Sequence, residues 1–292
     1  MMTLSPQTNA EIRQASKSIK VAHSPDSDDA FMFYALDGGK IPLEGFEFKL
    51  ASDEISKLND LALKGQDEYQ ILALSFATLF ELENEYELMP SGCSFAGKDY
   101  GPRLVTTKDG LLRFKNNESG IKIAVPGKNT SAFLMTQIFL KENYNCEFEY
   151  LFCSYDEVFD LIKEKKVDAS LLIHESQLKY KDLGYELIVD LGVWWYEKTN
   201  GLNMPLGCNA IKKDLEEANI AKLNKLLKDS ILWGKENFEE TMDYARKFAK
   251  NDLDDTNAAK YLDMYVNDTT VELKEDDYKS IELLRKYFKQ LG

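Results

Sequence analysis

His174 carries the side chain best suited, by type and by place, to move a proton, because an imidazole of ordinary pKa near ~6.5 exchanges protons close to neutrality. It ends the apolar run Ala169-Ser170-Leu171-Leu172-Ile173, which reads as a strand. Glu175 stands beside it, but successive side chains on a strand point apart, so another group would have to orient the ring. A satisfied, buried imidazole is the competing reading. His23, the other histidine, also follows a strand and is a weaker candidate for ligand contact. Small polar residues stand at further strand ends: Ser24 to Asp29, then Ser75, then Thr130-Ser131. In open α/β sheets, ligands bind beyond the carboxyl ends of strands, where helix N-termini present unpaired N–H groups. Ordinary N-capping accounts for any one of these residues taken alone. Several such turns in one chain point to a shared cleft and leave its ligand open.

Other chemistries fall away on spacing. There is no Walker loop and no G-x-G-x-x-G, and His174-Glu175-Ser176-Gln177-Leu178 lacks the second histidine of a zinc peptidase. Gly92-Cys93-Ser94-Phe95-Ala96 misses the nucleophile elbow at its last position. The four cysteines, Cys93, Cys146, Cys153 and Cys208, show no CxxC spacing and read as reduced thiols packed as small apolar groups. With two histidines in the whole chain, no metal site is expected.

The elements that must position these residues repeat one unit, strand then polar turn then helix. Ile19 to Ala22 leads through Ser24-Pro25-Asp26-Ser27-Asp28-Asp29 to a helix over Ala30 to Leu36, closed by Gly38-Gly39. Phe46 to Leu50 alternates in period two. Ile55, Leu58, Leu61 and Ala62 then share one face of a helix stopped by Gly65. Tyr69 to Ala73 runs into Leu74-Ser75 and a helix from Phe76 to Glu83; Lys122 to Val125 runs through Thr130-Ser131 into a helix from Ala132 to Lys141. Phe148 to Phe152 precedes a helix about Val158 and Ile162. Such alternation implies parallel sheet with right-handed crossovers and an α/β fold. The stretch Asp190 to Gly207, with its glycines, Pro205 and Trp194-Trp195, reads as a connection. A short strand from Cys208 to Ile211 follows it, and then helices.

Composition bounds what such a fold could serve. The 292 residues carry 36 Lys+Arg against 50 Asp+Glu, a net charge of −14 that repels nucleic acid and anionic membranes. A small anion held by local dipoles remains compatible. With 44% hydrophobic and 12% aromatic residues the chain can bury a substantial core. No apolar run approaches the ~18–20 residues of a membrane span. Met1 to Ser18, polar and read as a loose or helical extension, lacks a secretory apolar segment, so a cytoplasmic protein is expected.

Taken in order, Ser24-Pro25-x-x-Asp28-Asp29-x-Phe31-x-Phe33-Tyr34-Ala35-Leu36, Val125-Pro126-Gly127, Leu172-Ile173-His174-Glu175-Ser176, Val189-Asp190-Leu191-Gly192-x-Trp194-Trp195 and Pro205-Leu206-Gly207 form a pattern. From about Ile19 to near the C-terminus it resembles the 1,4-dihydroxy-6-naphthoate synthase family of the futalosine route to menaquinone. The resemblance implies a two-lobed α/β fold like the type II periplasmic binding proteins, with a ligand cleft between lobes. One lobe would combine residues 1–104 and 207–292, the other would span 105–206, and the crossings near Arg103-Leu104 and Pro205-Leu206-Gly207 would form a hinge. It implies cleavage of cyclic dehypoxanthine futalosine, an anionic small molecule, without any cofactor. His174 would be the general base, and Ala73-Leu74-Ser75 and Thr130-Ser131 would contact substrate, with Ser24 and Asp29 beside them. Some relatives carry Lys at the place of Ala73 and Asn-Asp at the place of Asp28-Asp29, so Ala73 offers a backbone contact only. A related chorismate-processing lyase of the same pathway and a non-catalytic small-anion receptor are the alternative readings.

Overall fold

The computed structural model describes residues 17–173, 177, 179–248 and 266–291. Residues 1–16 of the expected N-terminal extension lie outside the described residues; Lys17 and Ser18 already belong to the first strand. In chain order the first half reads β1 (Lys17–His23), α1 (Ser27–Asp37), β2 (Phe46–Ser52), α2 (Ile55–Leu63), β3 (Ile71–Ser75), α3 (Phe76–Glu81), β4 (Tyr86–Leu88) and β5 (Ser94–Ala96). Then come β6 (Arg103–Thr106), α4 (Lys108–Lys115), β7 (Ile121–Pro126), α5 (Ser131–Asn143), β8 (Phe148–Cys153), α6 (Val158–Lys163), β9 (Ala169–Leu172) and β10 (Glu186–Asp190). The chain continues with α7 (Leu191–Lys198), β11 (Met204–Lys212), α8 (Glu217–Glu236) and α9 (Phe238–Ala245), and its described part ends with the helices Asp268–Val271 and Glu275–Leu291.

These elements build two sheets. The first has the order β2-β1-β3-β11-β4 with β5 also on β11, and the second the order β10-β6-β9-β7-β8. The strand–turn–helix units give the parallel pairs β1 with β2, β1 with β3, β7 with β8 and β7 with β9. Alternation alone implied wholly parallel sheets; the structure departs from that at β11, β6 and β10, which pair antiparallel. Each parallel pair is joined through an intervening helix, as a crossover between parallel neighbours requires, whereas β6 and β11 are the strands on which the chain enters a sheet from the other one.

Burial explains why the units hold. β3 and β9 are buried along their whole length, as a central strand covered on both faces must be. Helix α1 is buried nearly all round, with Phe31, Met32, Phe33 and Leu36 between the first sheet and α8–α9. Each such phenyl ring contributes about 1.5–3 kcal/mol on leaving water. Gly234 of α8 lets the helices approach, since a Cβ there would lie 2.9 Å from the Phe31 ring.

The stretch Asp190 to Gly207, expected as a connection, instead contains helix α7 and the start of β11. Asp190 makes the helix by accepting from the N–H groups of Gly192 (3.1 Å) and Val193 (3.3 Å). Trp195 is fully buried and donates its indole N–H to Ser280 Oγ at 2.9 Å. Gly192 breaks nothing. It is present because a Cβ there would meet the Tyr100 carbonyl oxygen at 2.2 Å. Pro205 lies where the β11–β5 register shifts, a place where a strand tolerates proline.

Candidate active site

A cleft enclosing about 800 Å³ of empty space, part of it open to solvent, lies between the two sheets. The turn after β1 supplies Ser24, Asp26, Asp28 and Asp29 to its wall; the end of β3 supplies Ala73, Leu74 and Ser75. From the second sheet come Thr130, Ser131 and Ala132 at the start of α5, together with Ile173 and Gln177. Seven residues expected at the site, Ser24, Asp29, Ala73, Leu74, Ser75, Thr130 and Ser131, are thus gathered around one cavity. His174 lies outside the described residues; Ile173 before it and Gln177 after it line the cleft. His23 does not: its ring is buried, stacks on Phe33 at 5.2 Å, and has Nδ1 2.7 Å from the Ser24 carbonyl oxygen. Burial pushes its pKa down, against the Ser24 contact and nearby carboxylates that push it up.

The α5 terminus shows what each group has left to offer. The Thr130 hydroxyl caps the helix, accepting from Phe133 N at 3.2 Å and donating to the Gly127 carbonyl at 3.1 Å. The N–H groups of Ser131 and Ala132 precede the first intrahelical hydrogen bond, so they and the helix dipole are suited to an anion. Gly127 is required twice over. Its φ is +93°, and a Cβ would come within 2.8 Å of Ser56 Cβ on α2.

The opposite wall is acidic. Asp29 accepts from Ser24 N at 2.9 Å, and Asp26 accepts from the Ser24 hydroxyl. Part of Asp29 faces the cleft, yet protein encloses it deeply. That burial, with Asp28 and Asp26 adding to it, pushes its carboxyl well above the usual range, against the opposing Ser24 N–H. A carboxyl biased toward its neutral form repels an anionic ligand less. Among the described lining residues there is no Lys or Arg. Cys208 lines the cleft as well, but burial and then Cys93 beside it hold its pKa well above that of an ordinary thiol, so it offers no ready thiolate. Among the described residues no three His, Cys, Asp or Glu side chains group as a metal ion would need.

One residue that sequence reasoning passed over joins the two walls. Asn59 of α2 is fully buried. Its Oδ1 accepts from Ser75 N (3.0 Å), and its Nδ2 donates to Ser75 Oγ (3.0 Å) and to the Asn129 carbonyl (2.8 Å). Thr78 Oγ1 donates to the same carbonyl at 2.8 Å, and Ser131 Oγ accepts from Ala77 N at 3.3 Å. The sequence signal was slight: a polar residue four places after Ile55, inside an apolar stripe.

The two passages of the chain between the sheets are pinned together where they meet the second sheet. Leu191 N donates to the Pro102 carbonyl at 2.8 Å, and Arg103 Nε lies 2.8 Å from Asp190 Oδ2. Gly101 packs against Gly192 so tightly that a Cβ on Gly101 would sit 2.3 Å from Gly192 N.

Two mixed sheets facing each other across a cleft define the type II periplasmic-binding-protein-like class. The ligand-binding component of an ABC-type import system from Staphylococcus aureus shares the fold, with a TM-score of 0.64 at 13% identity over 95% of this chain and 93% of that one. A crystallised protein of Archaeoglobus fulgidus is more similar, with a TM-score of 0.83 at 34% identity over 94% of this chain and 98% of its own. The family described as Menaquinone biosynthesis matches residues 19–290, and this chain belongs to it. A relative from Thermus thermophilus, 30% identical over 92% of this chain and 93% of its own length, is a 1,4-dihydroxy-6-naphthoate synthase.

Proposed function

We propose that this chain forms 1,4-dihydroxy-6-naphthoate by cleaving cyclic dehypoxanthine futalosine in menaquinone biosynthesis, with His174 as the general base. Membership of the menaquinone family and a synthase relative aligned over nearly the whole chain support the reaction. The observation that carries the site is the cleft itself, which gathers polar groups from both sheets on two of its walls.

The reaction resembles a retro-aldol fragmentation that releases a sugar-derived piece and leaves an aromatic ring. A base starts the electron flow, and oriented donors take up developing oxyanion charge. A neutral imidazole serves as that base, and the segment bearing His174 is flanked by the cleft-lining Ile173 and Gln177. The substrate carboxylate or the oxyanion is assigned to the Ser131 and Ala132 N–H groups, which need no full positive charge to hold an anion. Ser75, Ala73 and Leu74 line the next stretch of wall, and Ser24 and Asp29 complete it. The lobes, residues 1–104 plus 207–292 and residues 105–206, would close about the two chain passages and exclude water from the intermediate. The reading places the reaction in the cytoplasm.

Incubating the protein with cyclic dehypoxanthine futalosine and following product by mass spectrometry tests the reaction; no product from folded wild-type protein refutes it. His174→Ala is expected to keep substrate binding and to lose turnover by about 10²–10⁴-fold, the usual worth of a general base. Near-normal turnover by a folded His174→Ala protein would remove His174 from that role.

A further inference from the structure

Ser75 and the Asn129–Ser131 turn stand on different sheets, yet both must be in place for the cleft to present its polar walls together. Asn59 touches both. It spends its acceptor and both donors on them, at 2.8–3.0 Å, from a position with no solvent exposure. We propose that Asn59 is a positioning residue that couples the meeting of the lobes to assembly of the substrate cradle. This rests on the reading of the cleft as the substrate site.

A buried side-chain amide offers two donors and an acceptor, and each one left without a partner carries a desolvation penalty. When the lobes part, Asn59 and Thr78 both lose the Asn129 carbonyl, while the bonds from Asn59 to Ser75 lie within one lobe and can persist. Three groups meet at one carbonyl-centred seam, so the contact is made or lost as a unit. The turn it grips runs straight into Thr130, whose hydroxyl caps α5, so gripping Asn129 also sets where the α5 N–H groups point. Asn129 Nδ2 adds a bond to Asp60 Oδ1 at 2.9 Å, on the residue next to Asn59 in α2. Gly127 also packs closely on α2, where an added Cβ would come within 2.8 Å of Ser56 Cβ.

Amide hydrogen exchange in ligand-free protein reads this seam without any substrate. Asn59→Ala is expected to speed exchange at Ser75, and also across the seam at the first turn of α5, by on the order of 10- to 100-fold. The same variant should lower kcat/KM by a comparable factor. Faster exchange confined to α2 and β3, with unchanged α5 and kcat/KM within twofold of wild type, overturns the proposal. Should Asn59→Ala fail to fold, Thr78→Val, which loses a single hydroxyl on the same carbonyl, decides by the same two measurements. Asn59→Asp adds a readout that loss of packing would not give. Its carboxylate faces the Asn129 carbonyl and repels it, whereas the protonated acid can donate, so affinity for 1,4-dihydroxy-6-naphthoate should recover relative to wild type as pH falls from 8 to 5.5. An affinity ratio that stays flat across that range counts against the proposal. If wild-type protein binds neither substrate nor product, the functional reading fails, and the exchange data still judge the seam.

Discussion

Gly192→Ala sets two effects of opposite sign against each other at the paired chain passages. Gly192 lies in the first turn of α7, and replacing a helical glycine by alanine ordinarily stabilises by about 1 kcal/mol. Here the new Cβ would stand 2.2 Å from the Tyr100 carbonyl oxygen, 2.8 Å from its carbon and 2.9 Å from Gly101 Cα, all backbone atoms that no rotamer change can move. Relief requires the passages to part by about 1 Å, since ordinary non-bonded contacts begin near ~3.5 Å. That movement strains the Leu191 N to Pro102 carbonyl bond and the Arg103–Asp190 ion pair. Overpacking costs about 1–3 kcal/mol, and a weakened buried hydrogen bond about 1 more. After the helix gain is subtracted, the variant should be about 1–3 kcal/mol less stable, which for a chain of this size lowers Tm by about 2–5 °C. Calorimetry and urea unfolding measure it, with Gly101→Ala as the reciprocal variant. The double variant should cost less than the sum, because one displacement admits both methyl groups. A Gly192→Ala protein as stable as wild type, or more so, would refute the steric argument and leave helix propensity as the controlling effect.

The raised carboxyl of Asp29 predicts a pH dependence. The folded chain holds that proton more tightly than the unfolded chain, so stability should decline as pH rises from about 4 through the raised folded value. Asp29→Asn should flatten the plot of Tm against pH in that window, and parallel plots for the two proteins would contradict the assignment. Trp195→Phe removes a fully buried indole and its bond to Ser280, which still donates to the Asn203 carbonyl at 2.6 Å. The expected loss, read from denaturant midpoints, is about 1–3 kcal/mol; an unchanged midpoint would show that the space is refilled without cost.

The strand–turn–helix units were legible because period-two and period-3.6 patterns report local burial directly. The expected helix over Ala30 to Leu36 becomes Ser27–Asp37, and the expected strand over Lys122 to Val125 becomes Ile121–Pro126. The polar strand ends were legible for the same reason, and Ser24, Ser75 and Thr130 do face one cavity. Helix α7 was not, because Gly192 looks like a breaker until Tyr100, some ninety residues earlier, is placed against it. Strand direction was equally hidden: Pro205 and Gly207 signal a turn, and only pairing with β3 and β5 shows that they begin a strand. Asn59 escaped notice since its burial depends on a turn seventy residues away. What the sequence hides here is long-range contact, the part of a fold that local pattern does not encode.

Strand β11 sits in the middle of the first sheet, between β3 and β4, although it is made after the whole of the second sheet. On the ribosome, the segment 103–190 can therefore finish its own sheet while the earlier one still waits for a central strand. Among the described residues β4 and β5 gain sheet partners only through β11, so that pairing waits until residues 204–212 emerge. The half of the molecule that is begun first is completed last, and the nascent chain carries an open sheet edge, a hazard for misassociation, for more than a hundred residues of synthesis.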